Sequence, residues 1–263
     1  MVEFVSWNIF GVLLLAGLIG AISLIPLNRS VLDTNTSVEN NSKNLFTKSQ
    51  LELISQIITY AVVISAALFG GFFVIERFGI QGAPILDMWL AGDVRQTHFS
   101  SFLIPGLAGF VMGAMLSPLS LYKAKETRID FYEIALWKRL IAGVFHGGIS
   151  EEILFRWGIL SCLALLITFI VGGDSSPTTD GVFWAANLIS ALLFGTAHLP
   201  GSAAAAPLTP VMVILIVSLN ILVGLVCGYF FWVKGIEAAI VTHIFFHIGM
   251  QPSSAFLRRV TNR

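Results

Sequence analysis

The chain has 263 residues, 56% of them hydrophobic and 11% charged, with equal numbers of basic and acidic side chains and no net charge. Soluble domains carry about 25% charged residues, so this composition excludes a water-soluble globular domain. The balanced charge leaves no basic footprint for nucleic acid.

Seven apolar segments run along the chain, at 7–27, 53–75, 101–121, 135–171, 182–199, 211–233 and 236–250. Their apolar residues are continuous rather than alternating, which selects helices over strands. In lipid, only helices and closed barrels satisfy the backbone polar groups. The expected fold is therefore all-α, a polytopic transmembrane helix bundle of about seven spans. The first segment matches the roughly 20 residues a crossing needs. Glu3 precedes it instead of a basic region and no small-residue cleavage pattern follows, so it reads as a retained helix.

The next stretch, 28–50, is rich in Asn, Ser and Thr and reads as a flexible loop. Residues 123–139 mix charge with Ile129, Phe131, Tyr132, Ile134 and Leu136, the pattern of an amphipathic helix lying in the interface. The fourth segment is longer than one span needs; it is one tilted helix or two pieces broken near Gly147–Gly148. The fifth and seventh are short and need neighbours or a wet cavity to complete a crossing. The uncharged Pro/Ala/Gly-rich stretch 199–210 reads as a re-entrant segment or tight turn. No internal repeat of the transporter kind is visible. Cys162 and Cys227 sit in apolar runs and read as packing residues, not as a disulfide. Eleven of the 15 Lys and Arg fall at one set of helix ends and three at the other, with Arg156 inside a span. Positive charge favours the cytosol, so the expected topology is a multi-pass plasma-membrane protein with a cytosolic C-terminus.

Ionisable side chains within spans are costly and mark function. Three clusters stand out. In the first, Glu151, Glu152 and Arg156, the pair Glu152 and Arg156 are four apart and share a helix face. Glu151 points roughly 100° away on an α-helix, with no cation on its own helix, and should face a cavity. A carboxylate held by arginine beside one left free is a way to build a general base. The second cluster runs Phe194 to His198, at the end of the fifth segment. The third holds His243 and His247, four apart on one face, able to bind a metal or to donate to an oxyanion. Thr242 is placed to orient one of these rings. His98, in a polar loop, reads as unremarkable. His146 precedes Glu151 by five, off its α-helical face, and reads as a residue for packing or a local hydrogen bond.

The order Glu-Glu-x-x-x-Arg, Phe-x-x-x-His, His-x-x-x-polar resembles the CPBP family, which includes CAAX prenyl endopeptidases, Abi proteins and bacteriocin-processing enzymes. The resemblance covers about Arg139 to Gln251 and rests on Glu151, Glu152, Arg156, Phe194, His198 and His243. It implies an N-terminal part, 1–130, of transmembrane helices and polar loops, and a CAAX-protease-like catalytic helical core over 131–263. It implies an intramembrane endopeptidase acting on a membrane-associated protein or peptide. Glu151 and His198 would activate water, His243 with His247 would stabilise the oxyanion, and Glu152 with Arg156 would shape the site. The residues alone leave open whether Glu151 or Glu152 is the base, though face geometry favours Glu151. His247 stands where the family usually carries Asn or Asp. That departure motivates an alternative, a non-catalytic membrane scaffold or immunity protein of the same fold. A transporter or metal channel is a third reading, weakened by the lack of repeats. No cofactor is required; zinc, held by His198, His243, His247 and Glu151, is the open alternative to metal-free acid–base chemistry.

Overall fold

The structure is a computed structural model that describes residues 6–27, 48–78, 82–93, 99–125, 134–172, 179–205 and 207–261. The described residues form helices α1 (Trp7–Ser23), α2 (Lys48–Phe78), α3 (Pro84–Leu90), α4 (Leu103–Lys125), α5 (Leu136–Gly172), α6 (Asp180–Ala205), α7 (Pro210–Lys234) and α8 (Ile236–Thr261). Six stretches are long and apolar enough to cross a membrane: Trp7–Leu27, Ile54–Ile75, Ser100–Leu119, Leu136–Gly172, Asp180–Ala203 and Pro210–Lys234. The 26 residues of α8 extend about 39 Å at 1.5 Å per residue, enough for a seventh crossing. Its apolar face is interrupted by His243, His247, Gln251 and Ser254, which point into the protein or its crevices. The chain is an integral membrane helical bundle. The flexible loop expected at 28–50 lies largely outside the described residues, as do His98 and residues 126–133 of the expected interfacial helix.

One expectation from the sequence is decided between its two alternatives and two are corrected. The fourth segment is a single helix, not two pieces broken near Gly147–Gly148. Its middle is wound as π-helix, over Ala142–Glu151 and Ile153–Leu160. The stretch 199–210 is not a re-entrant turn, because α6 runs through Pro200 to Ala205 before the connector to α7. The fifth segment is therefore a full-length helix. The seventh does not stop at residue 250. It continues because Gln251 accepts from Arg139 Nη1 at 2.8 Å and Ser254 Oγ donates to Ser117 O at 3.4 Å, so its polar residues are satisfied inside the bundle. His247 consequently sits near the middle of α8 rather than near its end.

With lipid offering no hydrophobic drive between helices, close backbone approach does the packing, and small residues make it possible. Gly109 and Gly113, spaced as Gly-x-x-x-Gly on α4, lie against the carbonyls of Thr242 and Phe246 on α8, and Gly249 of α8 lies against Phe110 O in return. A Cβ at any of the three would collide with backbone. Helix α1 meets the first π stretch through Gly17 and Gly20, and Ser150 Oγ donates to Gly17 O at 2.8 Å. Helix α2 meets the second π stretch, where Trp157 Nε1 donates to Leu68 O at 3.3 Å and Gly158 abuts Ala67. On the far side Ser190 Oγ of α6 donates to Phe155 O at 3.0 Å. The π-wound helix is thus the hub of the bundle, gripped by α1, α2, α6 and α8. At the start of α8, the Glu237 carboxylate accepts from the Ile85 and Leu86 N–H groups at 3.0 Å each, and Ile236 N donates to Gly82 O at 2.8 Å. These bonds dock the short α3 onto that end of the bundle.

Candidate active site

The three polar motifs come from α5, α6 and α8, and their side chains form two groups. The first is dry. Glu152 is fully buried and Arg156 is 1% exposed, with Arg156 Nε 3.1 Å from Glu152 Oε2. The pairing expected from their spacing is present. His243, also buried, donates from Nδ1 to Glu152 Oε1 at 2.6 Å. The two oxygens of Glu152 therefore face one positive group and one imidazole N–H, which offsets the cost of burying the carboxylate. The Arg156 guanidinium lies over the Phe194 ring, 4.6 Å from its centroid, a cation–π contact. Its Nη1 and Nη2 have no hydrogen-bond partner among the described residues.

The second group is partly open. Glu151 has its side chain 17% exposed, and its Oε1 lies 3.7 Å from His198 Nε2 and 3.6 Å from His146 Nε2. His198, with a side chain 32% exposed, donates from Nδ1 to Phe194 O at 2.8 Å. That bond puts a proton on Nδ1, and in the neutral ring Nε2 then presents a lone pair toward Glu151. Phe194 thus serves both groups, its carbonyl orienting His198 while its ring touches Arg156, His198 and His243 edge-on or face-on.

The expectation that His146 lies off Glu151's face is corrected, while the local hydrogen bond expected of it is made with Tyr60 at 3.3 Å. That expectation of its face assumed α-helical winding. In the π-helix the backbone bonds run from i to i+5, so residues five apart stack along the axis and His146 shares Glu151's face. Thr242 is likewise not the orienter of a ring; its hydroxyl donates to Ala238 O of its own helix at 2.8 Å. His243 and His247 stack on one face of α8, ring centroids 5.0 Å apart and planes 13° from parallel. His247 fits because Gly143 and Gly147 of α5 leave it a slot: a Cβ on Gly143 would sit 2.7 Å from the ring, and one on Gly147 would press on Nε2. His247 Nδ1 is buried with no hydrogen-bond partner among the described residues. Sequence reasoning missed His146, Tyr60, Gly143 and Gly147. Only the unusual density of glycine at 143, 147 and 148 marked this part of the chain in advance.

The zinc ligand set expected from sequence, His198, His243, His247 and Glu151, is not what the fold gathers. Among the described residues, the ligand atoms found mutually within 4.8 Å belong to Glu152, Cys227 and His243. That trio suits a cation poorly. Both Glu152 oxygens already face Arg156 and His243, the guanidinium would repel a metal, and none of the three is open to solvent.

Residues 133–249 match the family model for the type II CAAX prenyl endopeptidase Rce1-like proteins. No curated protein and no solved structure matches the chain. The matched stretch contains all three motifs and nearly coincides with the Arg139–Gln251 span of the resemblance. Over residues 133–249, then, the chain is similar to the type II CAAX prenyl endopeptidases, which supports a CPBP-type intramembrane peptidase.

Proposed function

We propose that the chain is an intramembrane endopeptidase that hydrolyses a peptide bond of a membrane-associated, CAAX-type prenylated substrate, with Glu151 and His198 activating the water. The observation that carries this reading is the pairing of two acceptors. Glu151 Oε1 and the His198 Nε2 lone pair lie 3.7 Å apart with His198's proton committed to Phe194 O. Two acceptors at that separation do not bond each other. They suit a water lodged between them that donates to both. Such a water is oriented and deprotonated as it attacks a carbonyl, with Glu151 taking the proton and later passing it to the leaving amine.

The oxyanion falls to α8. With Nδ1 donated to Glu152, His243 has Nε2 left to face an oxyanion. His247, stacked on His243, stands as the second donor in place of the family's Asn. Glu152 and Arg156 set the His243 ring rather than touch substrate. The positive-charge bias supports a cytosolic opening of the site and a cytosolic C-terminus.

The test uses the full chain in detergent with a fluorogenic prenylated CAAX-box peptide. Glu151→Gln and His198→Ala are each expected to abolish cleavage while the protein still accumulates in the membrane. Normal cleavage by either variant refutes the reading. A chain that cleaves nothing but retains a co-purifying partner supports the scaffold alternative.

A further inference from the structure

We infer that His146, steadied by Tyr60 of α2, is a positioning residue for Glu151, so that a helix outside the family-matched segment completes the site. This rests on the peptidase reading for its purpose but not for its geometry. His146 is on the first π stretch, and its Nε2 lies 3.6 Å from the same Glu151 oxygen that His198 approaches. The Tyr60 hydroxyl is 3.3 Å from that same Nε2, and the Tyr60 and His146 rings meet edge-on, 5.3 Å apart at 80°.

The other ring nitrogen decides the tautomer. His146 Nδ1 is buried with no hydrogen-bond partner among the described residues. An unpaired buried N–H is rarer than an under-used acceptor, so the proton belongs on Nε2, where two oxygens can accept it. The two imidazoles on Glu151 are therefore unlike. His146 offers an N–H, whereas His198 offers a lone pair because its own proton is spent on Phe194 O. One ring holds the carboxylate and the other shares the water. The 3.6 Å separation is slightly long for a hydrogen bond, as catalytic contacts often are before substrate closes the site. Both polar contacts of His146 among the described residues, to the Tyr60 hydroxyl and to Glu151, fall on Nε2.

Two measurements on the full chain in detergent test this. With the prenylated CAAX-box peptide, His146→Ala is expected to lower kcat by at least about tenfold with KM unchanged. His146→Gln, which restores an N–H, should recover part of the loss. Tyr60→Phe should lower kcat less, and should add nothing to His146→Ala, since both act through one contact. Unchanged kcat in His146→Ala, or losses that simply add, overturn the inference. Histidine nitrogen NMR reads the ring without any turnover. The resonance absent from His146→Gln is expected to report an Nε2–H tautomer and to shift in both Glu151→Gln and Tyr60→Phe. A proton on Nδ1, or a resonance indifferent to both substitutions, overturns the inference even if no peptide is cut. An inactive parent chain sinks the peptidase reading alone and leaves the NMR result to decide this one.

Discussion

Removing Arg156 is the sharpest test of how the dry half of the site is held. Arg156→Met leaves Glu152 buried with His243 as its remaining partner. Breaking a buried pair from one side costs about 3–5 kcal/mol, and the lost cation–π contact with Phe194 adds about 0.5–2 kcal/mol. For a chain of this size each kcal/mol lowers Tm by about 2–4 °C, so the single variant should melt at least about 6 °C lower in detergent. Glu152→Gln leaves the opposite fault, a guanidinium with no carboxylate. The double variant, Glu152→Gln with Arg156→Met, removes both charges and keeps an amide oxygen for His243 Nδ1. It should be more stable than Arg156→Met alone, a coupling that only a direct pair produces. Thermal unfolding of the four proteins closes the cycle. Additive losses, or a loss under about 1 kcal/mol for Arg156→Met, would show that the pair is not buried as described.

Three further outcomes are expected. His247→Ala should lower kcat on the prenylated peptide by about 10²–10³, the effect of losing one oxyanion donor, whereas His247→Asn should stay active; Gly147→Ala should impair the parent and be tolerated beside His247→Asn, because the crowding is with the imidazole ring. Gly113→Leu should cut the yield of folded protein, read by size-exclusion chromatography in detergent, since its side chain has no room against the Phe246 carbonyl; a normal yield would deny the α4–α8 contact. Dialysis against a strong chelator should leave peptide cleavage unchanged, and a loss restored by zinc would show that metal is held despite the guanidinium beside Glu152.

The membrane class was legible because continuous apolar runs have one physical explanation at 11% charge. So were Glu152 and Arg156, whose four-residue spacing brings them together under either winding, and the stacked His243 and His247. What failed did so for local reasons. The true end of α8 was hidden because Gln251 and Ser254 look like a solvent boundary until Arg139 and Ser117 are seen beside them. Pro200 read as a stop although α6 carries it. His146 was lost because sequence carries no plain mark of π winding, and the α-helical angle puts a residue five positions away on the wrong face. The Gly-x-x-x-Gly spacings at Gly109/Gly113, Gly143/Gly147 and Gly224/Gly228 are packing signals in plain view in the sequence.

The adjacent carboxylates Glu151 and Glu152 show why the winding matters. Side by side in a low dielectric, two like charges repel strongly and one tends to stay protonated. Each here has its own company, drawn from different helices. Glu152 turns inward to Arg156 on its own helix and His243 on α8, with no solvent access. Glu151 turns to His198 on α6 and His146 on its own helix, with its side chain partly open. An α-helical α5 could still present Glu152 to Arg156, four residues on. It would lose the alignment of His146 with Glu151, five residues on, and with it the N–H proposed to steady the partly open carboxylate. The π-helix therefore lets one strand of sequence serve two environments at once, a neutralised dry anchor and the partly open carboxylate proposed as the base, one residue apart. Phe194 ties them, its carbonyl fixing His198 in the wet group and its ring covering Arg156 in the dry one. A substitution that kept every charged residue but forced α-helical winding through Ala142–Glu151 would leave the anchor in place and disable the base.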